Sequence, residues 1–582
     1  MLALVLVAVA LLFGAASHAV AAAATTHSAT TTSAAATDTT PAAPVAGSSH
    51  ARPTLALATV RALAGRSPAI RSWIRDHPVY RVTPQFDPNT HQWTVYYVSR
   101  NRAKADVTQA EVLIDDNTAE VQETRTGPQV AWMMARGYWG AFGRHINDPW
   151  LWTGLCVLFL VPLIEIRRII SWRTLDLLAL VSFSVSLVWF NDGQIYRSVP
   201  LVYPPLIYLG VRMALIGTRR ARAGRGAAGT ADADAAPAAP TFGGWAPMWV
   251  LIAILALCVG LRYSLNAFDS NVIDVGYAGV IGAHRIVAGA APYGNFPSNC
   301  GHCDTYGPAT YLAYVPFEVA SPWHGSWDDL PAAHAAASAF DGICLVGMLM
   351  LGWRLSGARL GLALATAWAA FPFTAYALES NSNDELVAAA LIWGLVLFAR
   401  PLGRGLMLGL AAMAKFTPAI LVLAWWRHPF PRGQRRFGWL RYVAGLVLAV
   451  VTTGWVILLS GVGGIHTFWW DSIHYQIGRY SPFSIWGQHP DLRPLQLALI
   501  ALVAVAAIGL GWWPRHRDFV TVAALSGALL IALQLTMTYW FYLYIPWFLP
   551  FVLIATVPAW PAPATKSPGA PALPTREGPV VG

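Results

Sequence analysis

Two aspartates five residues apart, Asp269 and Asp274, stand in the run Asn266-Ala-Phe-Asp269-Ser-Asn-Val-Ile-Asp274-Val-Gly-Tyr277, directly behind a long apolar segment. A carboxylate just past the end of a membrane-crossing helix lies at headgroup depth. There it could take the proton from a hydroxyl in a reaction whose donor is a lipid phosphate. The plainer reading is that both aspartates cap the stretch Tyr277 to Ala288, whose amphipathic pattern suits a helix lying along a membrane surface. A second group runs from His466 to His489 and holds Trp469, Trp470, His474, Tyr475, Gln476, Arg479 and Trp486. Arg479 and His474 are candidates for stabilising a departing phosphate, and Gln476, Tyr475 and Trp486 for holding donor or sugar. An interfacial aromatic belt accounts for the tryptophans and tyrosines of this group, though not for its histidines or Arg479.

Asn383 and Asp384 open a further apolar span. They are candidates for contacting hydroxyls of donor or acceptor; the alternative for Asp384 is that it complements the helix dipole. Lys415 sits in the middle of an apolar run, beside Phe416-Thr417-Pro418, where it either serves a function inside the membrane or snorkels to the cytoplasmic face. Cys300-Gly-His-Cys303 copies the active-site tetrapeptide of disulfide isomerases, but Asp304-Thr-Tyr-Gly-Pro308 follows it instead of a helix start. The pair therefore reads as a local structural disulfide, ahead of a zinc site that would still lack two ligands.

The elements that must position these groups follow from composition. Of the 582 residues, 56% are hydrophobic and 12% charged, which excludes a water-soluble globule. The net charge of +10 is carried almost wholly by arginine, because only Lys104, Lys415 and Lys566 are lysine. The arginines fall in short clusters between apolar runs, so they speak for topology and lipid phosphate and against nucleic acid.

Residues 1–21 have the shape of a signal peptide or anchor, and 22–52 form an Ala/Thr-rich tether too polar to pack. Residues 53–128 read as a small extracytoplasmic α+β domain: a helix near Leu55 to Arg75, then short strands around 79–82, 93–98, 110–114 and 119–122. Three apolar spans occupy 150–216, a cytoplasmic linker 217–244, the main membrane domain 245–558 and a Pro-rich cytoplasmic tail 559–582. The segments 306–323 and 405–426 break the alternation of spans and read as re-entrant or broken helix pairs. The fold class is an α-helical polytopic membrane protein of about 11 to 13 transmembrane helices with one small α+β domain. The basic clusters place the candidate loops on the outer face of a plasma membrane, together with the amino-terminal domain.

Several of these motifs carry a family resemblance. Asp274-Val-Gly-Tyr277, Gly289-x-x-Pro292-Tyr293 and Tyr306-Gly307-Pro308 resemble the first-loop signature of GT-C glycosyltransferases, in particular family 87. Glu379 to Glu385, Gly405-Leu-Met-Leu-Gly409 with Lys415-Phe416, and Ser481 to Gly487 are similar to its later motifs. The resemblance implies a GT-C-like bundle, a polyprenyl-phosphate sugar donor, a glycan or glycolipid acceptor, and transfer of mannose or a similar sugar with inversion. It maps the catalytic base onto Asp274, with Asp269 as its neighbour. No cofactor is implied beyond the lipid-linked sugar; no metal cluster stands out, and an ion bridging Asp274 and the donor phosphate is left open. Residues 53–128 resemble PepSY-like domains, which implies a binding or regulatory role for them. Two other functional classes compete: a transporter or flippase of lipid-linked sugars, which would more often show two repeated halves, and a sensor using the outer domain.

Overall fold

The computed structural model describes residues 53–88, 90–99, 110–131, 144–165, 168, 170–227, 240–242, 244–297, 300, 303–327, 330–426, 437–478, 481–515 and 517–560. The expected signal segment and tether, the middle of the linker, nearly all of the tail, and Arg479 lie outside the described residues.

In the amino-terminal part, α1 (Leu57–Arg66) and α2 (Pro68–Asp76) precede β1 (Tyr80–Asp87), β2 (Gln92–Ser99), β3 (Ala110–Asp115) and β4 (Val121–Thr126), which pair in that order as an antiparallel meander. The period-two pattern of β2 turns Trp93, Val95 and Tyr97 inward, onto Val60, Ala64, Ile70 and Trp73 of the helices. The Asp116 carboxylate locks the two layers together. It accepts from the backbone N–H of Thr54 (2.6 Å) and Leu55 (2.9 Å) and from Trp93 Nε1 (2.7 Å). Burial acts to raise its pKa, but these donors outweigh burial and hold the carboxyl below its ordinary value.

The rest of the described chain is helical: α3 (Pro149–Leu163), α4 (Trp172–Asn191), α5 (Tyr203–Ala227), α6 (Met248–Asp269), α7 (Asp274–Val287), α8 (Pro308–Ala320), α9 (Pro331–Ser356), α10 (Ala358–Ala370), α11 (Pro372–Glu379), α12 (Asp384–Val396), α13 (Pro401–Ala414), α14 (Val422–Trp426), α15 (Gly438–Gly454), α16 (Arg493–Gly509), α17 (Phe519–Thr536) and α18 (Ile545–Thr556). Among the described residues, seven helices are long and apolar enough to cross a membrane, or eight if α10 and α11, bent by 57°, count as one span. The protein is a multi-pass membrane protein.

The bundle has two chemically different ends. α17 begins beside Asp518, which pairs with Arg220 of α5 at 2.7 Å, and it ends at Thr536. Eighteen residues rise about 27 Å, close to the hydrocarbon thickness. Between the ends, Arg262 of α6 is fully buried. It donates to Asp341 of α9 (2.6 Å), to the carbonyls of Trp368 and Ala369 of α10, and to Thr374 of α11, and it stands 3.7 Å from Glu385 of α12. Removing this guanidinium would strand buried carboxylates, so it fixes five helices in one arrangement.

Two expectations meet a more specific structure. In the segment 405–426, α13 gives way at Lys415 and Phe416 to a 3₁₀ turn, Thr417–Leu421, and then α14. Fourteen residues of α13 rise about 21 Å, so the segment can enter the bundle and turn back without crossing. The stretch Tyr277 to Ala288, expected on a lipid surface, forms α7 instead, and its residues 276–283 are all buried. Gly276, Gly279 and Gly282 make one side-chain-free stripe, on which the carbonyl of Asn381 and the rings of Tyr314 and Tyr311 sit so close that a Cβ would collide with each. Close packing on this stripe, not lipid, covers the helix.

Candidate functional site

At the end of the bundle remote from the Arg220–Asp518 pair, a cavity of about 390 Å³ opens between α7, α12, the 415–417 break, α16 and the end of α17. That volume is in the range of small-molecule sites. Its wall carries Asp274, Asp384, Lys415, Gln476, Arg493, Gln496, Thr536, Thr538, Tyr539 and Tyr544, and then Ile500, Leu533, Met537, Phe541 and Leu543. On α16 the lining residues Arg493, Gln496 and Ile500 follow at intervals of three and four, one face of a helix. From the first to the last the wall turns from cationic to apolar over about 10 Å. A ligand with a charged head and a hydrocarbon tail matches that gradient.

Asp274 is the first residue of α7, and its Oδ1 accepts the N–H of Val275 at 2.9 Å. A carboxylate is favoured there by the amino-terminal end of the helix dipole. The link from α6 to α7 is held by the loop between α11 and α12: Asn271 N–H donates to the Glu379 carbonyl (3.1 Å) and Ile273 N–H to the Ser380 carbonyl (3.2 Å).

Lys415 stands at the tip of the α13–α14 hairpin. Its Nζ lies 2.6 Å from Asp384 Oδ1 and 5.3–5.6 Å from the ring centroids of Tyr306, Trp547 and Tyr544, so an ion pair and three aromatic rings share one ammonium. The tip is tied to the start of α8, where Gly307 N–H and Thr310 Oγ1 both donate to the Ala414 carbonyl (3.0 and 2.9 Å). A side chain at Gly307 would collide with the Met413 carbonyl, so glycine is required for this approach. Arg493 is held by Gln496 Oε1 at 2.6 Å, and Gln496 Nε2 in turn donates to the Thr536 carbonyl and Thr538 Oγ1.

Of the residues expected from sequence, the structure brings Asp274, Asp384 and Gln476 to the cavity wall. Asp269 is not among the lining residues. It ends α6 and accepts the His145 N–H at 3.0 Å, because four residues of extended link separate it from Asp274. His474 is not among them either. Residues 469–474 form a wide π-helical turn, which directs Ser472, Ile473 and Gln476 to the cavity and sets the His474 ring against Trp470, centroids 3.9 Å apart and planes tilted by 58°. Trp486 is buried and donates to the Leu535 carbonyl at 2.8 Å, and Tyr475 also stays off the wall. Asn383 is buried beside Asp384, and neither end of its side chain finds a hydrogen-bond partner among the described residues. Among the described residues, the cations at the cavity wall are Lys415 and Arg493. The intramembrane position of Lys415 was a sequence signal, whereas Arg493 at the start of a span reads like any interfacial arginine.

Beside the cavity, Cys300 and Cys303 form a disulfide with Cα atoms 5.5 Å apart. It precedes Asp304, which accepts the Gly294 N–H and whose carbonyl accepts Ser472 Oγ. Partial burial and the neighbouring Asp304 carboxylate push Asp471 up to about 6. Among the described residues, no group of three or more His, Cys, Asp or Glu is gathered to hold a metal.

Residues 305–538 match the family model of Glycosyltransferase family 87. No curated protein and no solved structure matches the chain. Most of the polar cavity wall, from Thr305 through Asp384, Lys415, Gln476 and Arg493 to Thr538, falls inside the matched stretch, while Asp274 lies before it. A helical membrane bundle and a match to Glycosyltransferase family 87 over part of the chain thus coincide on one cavity, and together they support a membrane glycosyltransferase similar to that family.

Proposed function

We propose that the protein transfers a sugar, mannose in our reading, from a polyprenyl phosphate to a hydroxyl of a glycan or glycolipid on the extracytoplasmic face of the plasma membrane. The observation that carries this reading is the wall of the cavity described above, with a carboxylate at Asp274, cations at Lys415 and Arg493, and an apolar floor at Ile500, Leu533 and Met537. The arginines of the opposite end support the orientation by the positive-inside rule.

In this mechanism the donor's phosphate lies against Lys415 and Arg493, and its first isoprene units lie along the apolar floor. Asp274 removes the proton of the attacking hydroxyl as its oxygen bonds to the anomeric carbon. The bond from that carbon to the phosphate oxygen breaks on the opposite side, and the two cations stabilise the charge that grows on the leaving group. One displacement inverts the anomeric centre. Gln476 and Thr538 supply hydrogen bonds for sugar hydroxyls. Lys415 and Arg493 hold the phosphate in this reading; His474, a candidate for that role, is not at the cavity wall, and Arg479 lies outside the described residues.

The test is transfer from radiolabelled polyprenyl-phosphate mannose in membranes. Asp274→Asn is expected to lower transfer by about 10²- to 10⁴-fold with normal folded yield. Unchanged transfer in this variant removes Asp274 from the mechanism, and a wild type that accepts no polyprenyl-phosphate sugar removes the donor assignment.

A further inference from the structure

We propose that Asn381 is the positioning residue for the catalytic carboxylate, holding the link Ser270–Ile273, and with it Asp274, in register with the Asp384–Lys415 pair. The proposal rests on the reading of Asp274 as the base and names what keeps that base in place.

Asn381 is fully buried, and its backbone takes φ +49°, in the left-handed region that asparagine tolerates better than other side chains. Both ends of its side chain are used. Nδ2 donates to Ser270 Oγ (2.9 Å) and to the Asn271 carbonyl (2.9 Å), and Oδ1 accepts from Asn266 Nδ2 (2.8 Å). Its own carbonyl rests on Gly276, where a Cβ would collide. One residue therefore touches the last turn of α6, the link, and the first turn of α7. Asn271 and Ile273 of the link give their N–H groups to the carbonyls of Glu379 and Ser380 rather than to a helix, so these two bonds and the contacts of Asn381 fix where α7 begins.

The other end of the same segment makes the argument functional. Three residues beyond Asn381 the chain enters α12 with Asp384, which grips Lys415 at 2.6 Å. A buried run of six residues, Glu379 to Asp384, thus carries the base's clamp at one end and the phosphate cation's partner at the other. Displacing a reacting group by about 1 Å can cost 10²-fold in rate even when binding is intact.

Asn381→Gly tests this, because glycine adopts the positive φ without strain and removes only the side-chain bonds. The expected result is a kcat lower by about 10- to 100-fold with a donor KM within about twofold of wild type and an unchanged folded yield in detergent. Ser270→Ala, which removes one acceptor of Nδ2, is expected to lower kcat about two- to fivefold alone and to add nothing in the N381G background. The proposal is overturned if N381G keeps wild-type kcat, or if kcat, donor KM and folded yield deteriorate together, which is what a purely structural role gives. Failure of the base reading is separable: it shows as full activity in D274N, whereas failure of the clamp shows as full activity in N381G beside an inactive D274N.

Discussion

Lys415→Gln against Asp384→Asn separates what the buried ion pair does for folding from what it does for the reaction. The partners are 2.6 Å apart with 11% and 1% of their side chains exposed. At an effective dielectric of ~20 the Coulomb attraction at that distance is about 6 kcal/mol, most of which offsets the desolvation of the two groups. Deleting the ammonium leaves Asp384 charged and buried with no cation beside it, so Lys415→Gln is expected to cost about 3–5 kcal/mol. Deleting the carboxylate leaves the ammonium facing Tyr306, Tyr544 and Trp547, each contributing ~0.5–1 kcal/mol, so Asp384→Asn should cost about 2 kcal/mol less than Lys415→Gln. The double variant buries two neutral amides and is expected to be more stable than Lys415→Gln alone. For catalysis the order changes: every variant lacking the ammonium should lose about 10- to 200-fold in kcat/KM, the worth of a charged hydrogen bond to phosphate, however well it folds. Tryptophan-fluorescence melting in detergent reads the first quantity and transfer from labelled donor lipid the second. Additive stability losses in the double variant, or a stable double variant with wild-type kcat/KM, would refute the reasoning.

Two further outcomes are expected. Gly282→Ala drives a Cβ into the Tyr311 ring and should destabilise the α7–α8 pair by about 1–3 kcal/mol, read as a lower detergent melting temperature; an unchanged melting temperature would show that α7 is not packed on Tyr311. Asp471 has a raised folded pKa, so the folded state binds its proton more tightly than the unfolded chain. Its contribution to stability is fully present below about pH 4 and is lost as pH rises through about 6. Asp471→Asn should therefore flatten the stability profile between those values, and a profile identical to wild type would contradict the pairing with Asp304.

Residue types and their spacing determine a good deal about this protein. Long apolar runs with few charges leave only helical membrane spans, because backbone groups in hydrocarbon must be satisfied within their own segment. The alternation in Trp93 to Val98 sets a sheet facing a helix pair, and the motif order points to the same glycosyltransferase family whose model matches residues 305–538. Periodicity, however, fixes only which face of its own element a residue occupies. Asp269 and Asp274 look equivalent in the sequence. Their difference arises because the link between them is held by the loop before α12, more than a hundred residues away, which sets α7 at a new angle with Asp274 at its tip. The partnership of Lys415 with Asp384 spans 31 residues and depends on a hairpin tip meeting a helix start. One wide helical turn exchanges His474 for Gln476 at the cavity wall. These outcomes depend on how separate helices pack against one another, and packing is decided by shape complementarity across the whole bundle, which no local stretch of sequence contains.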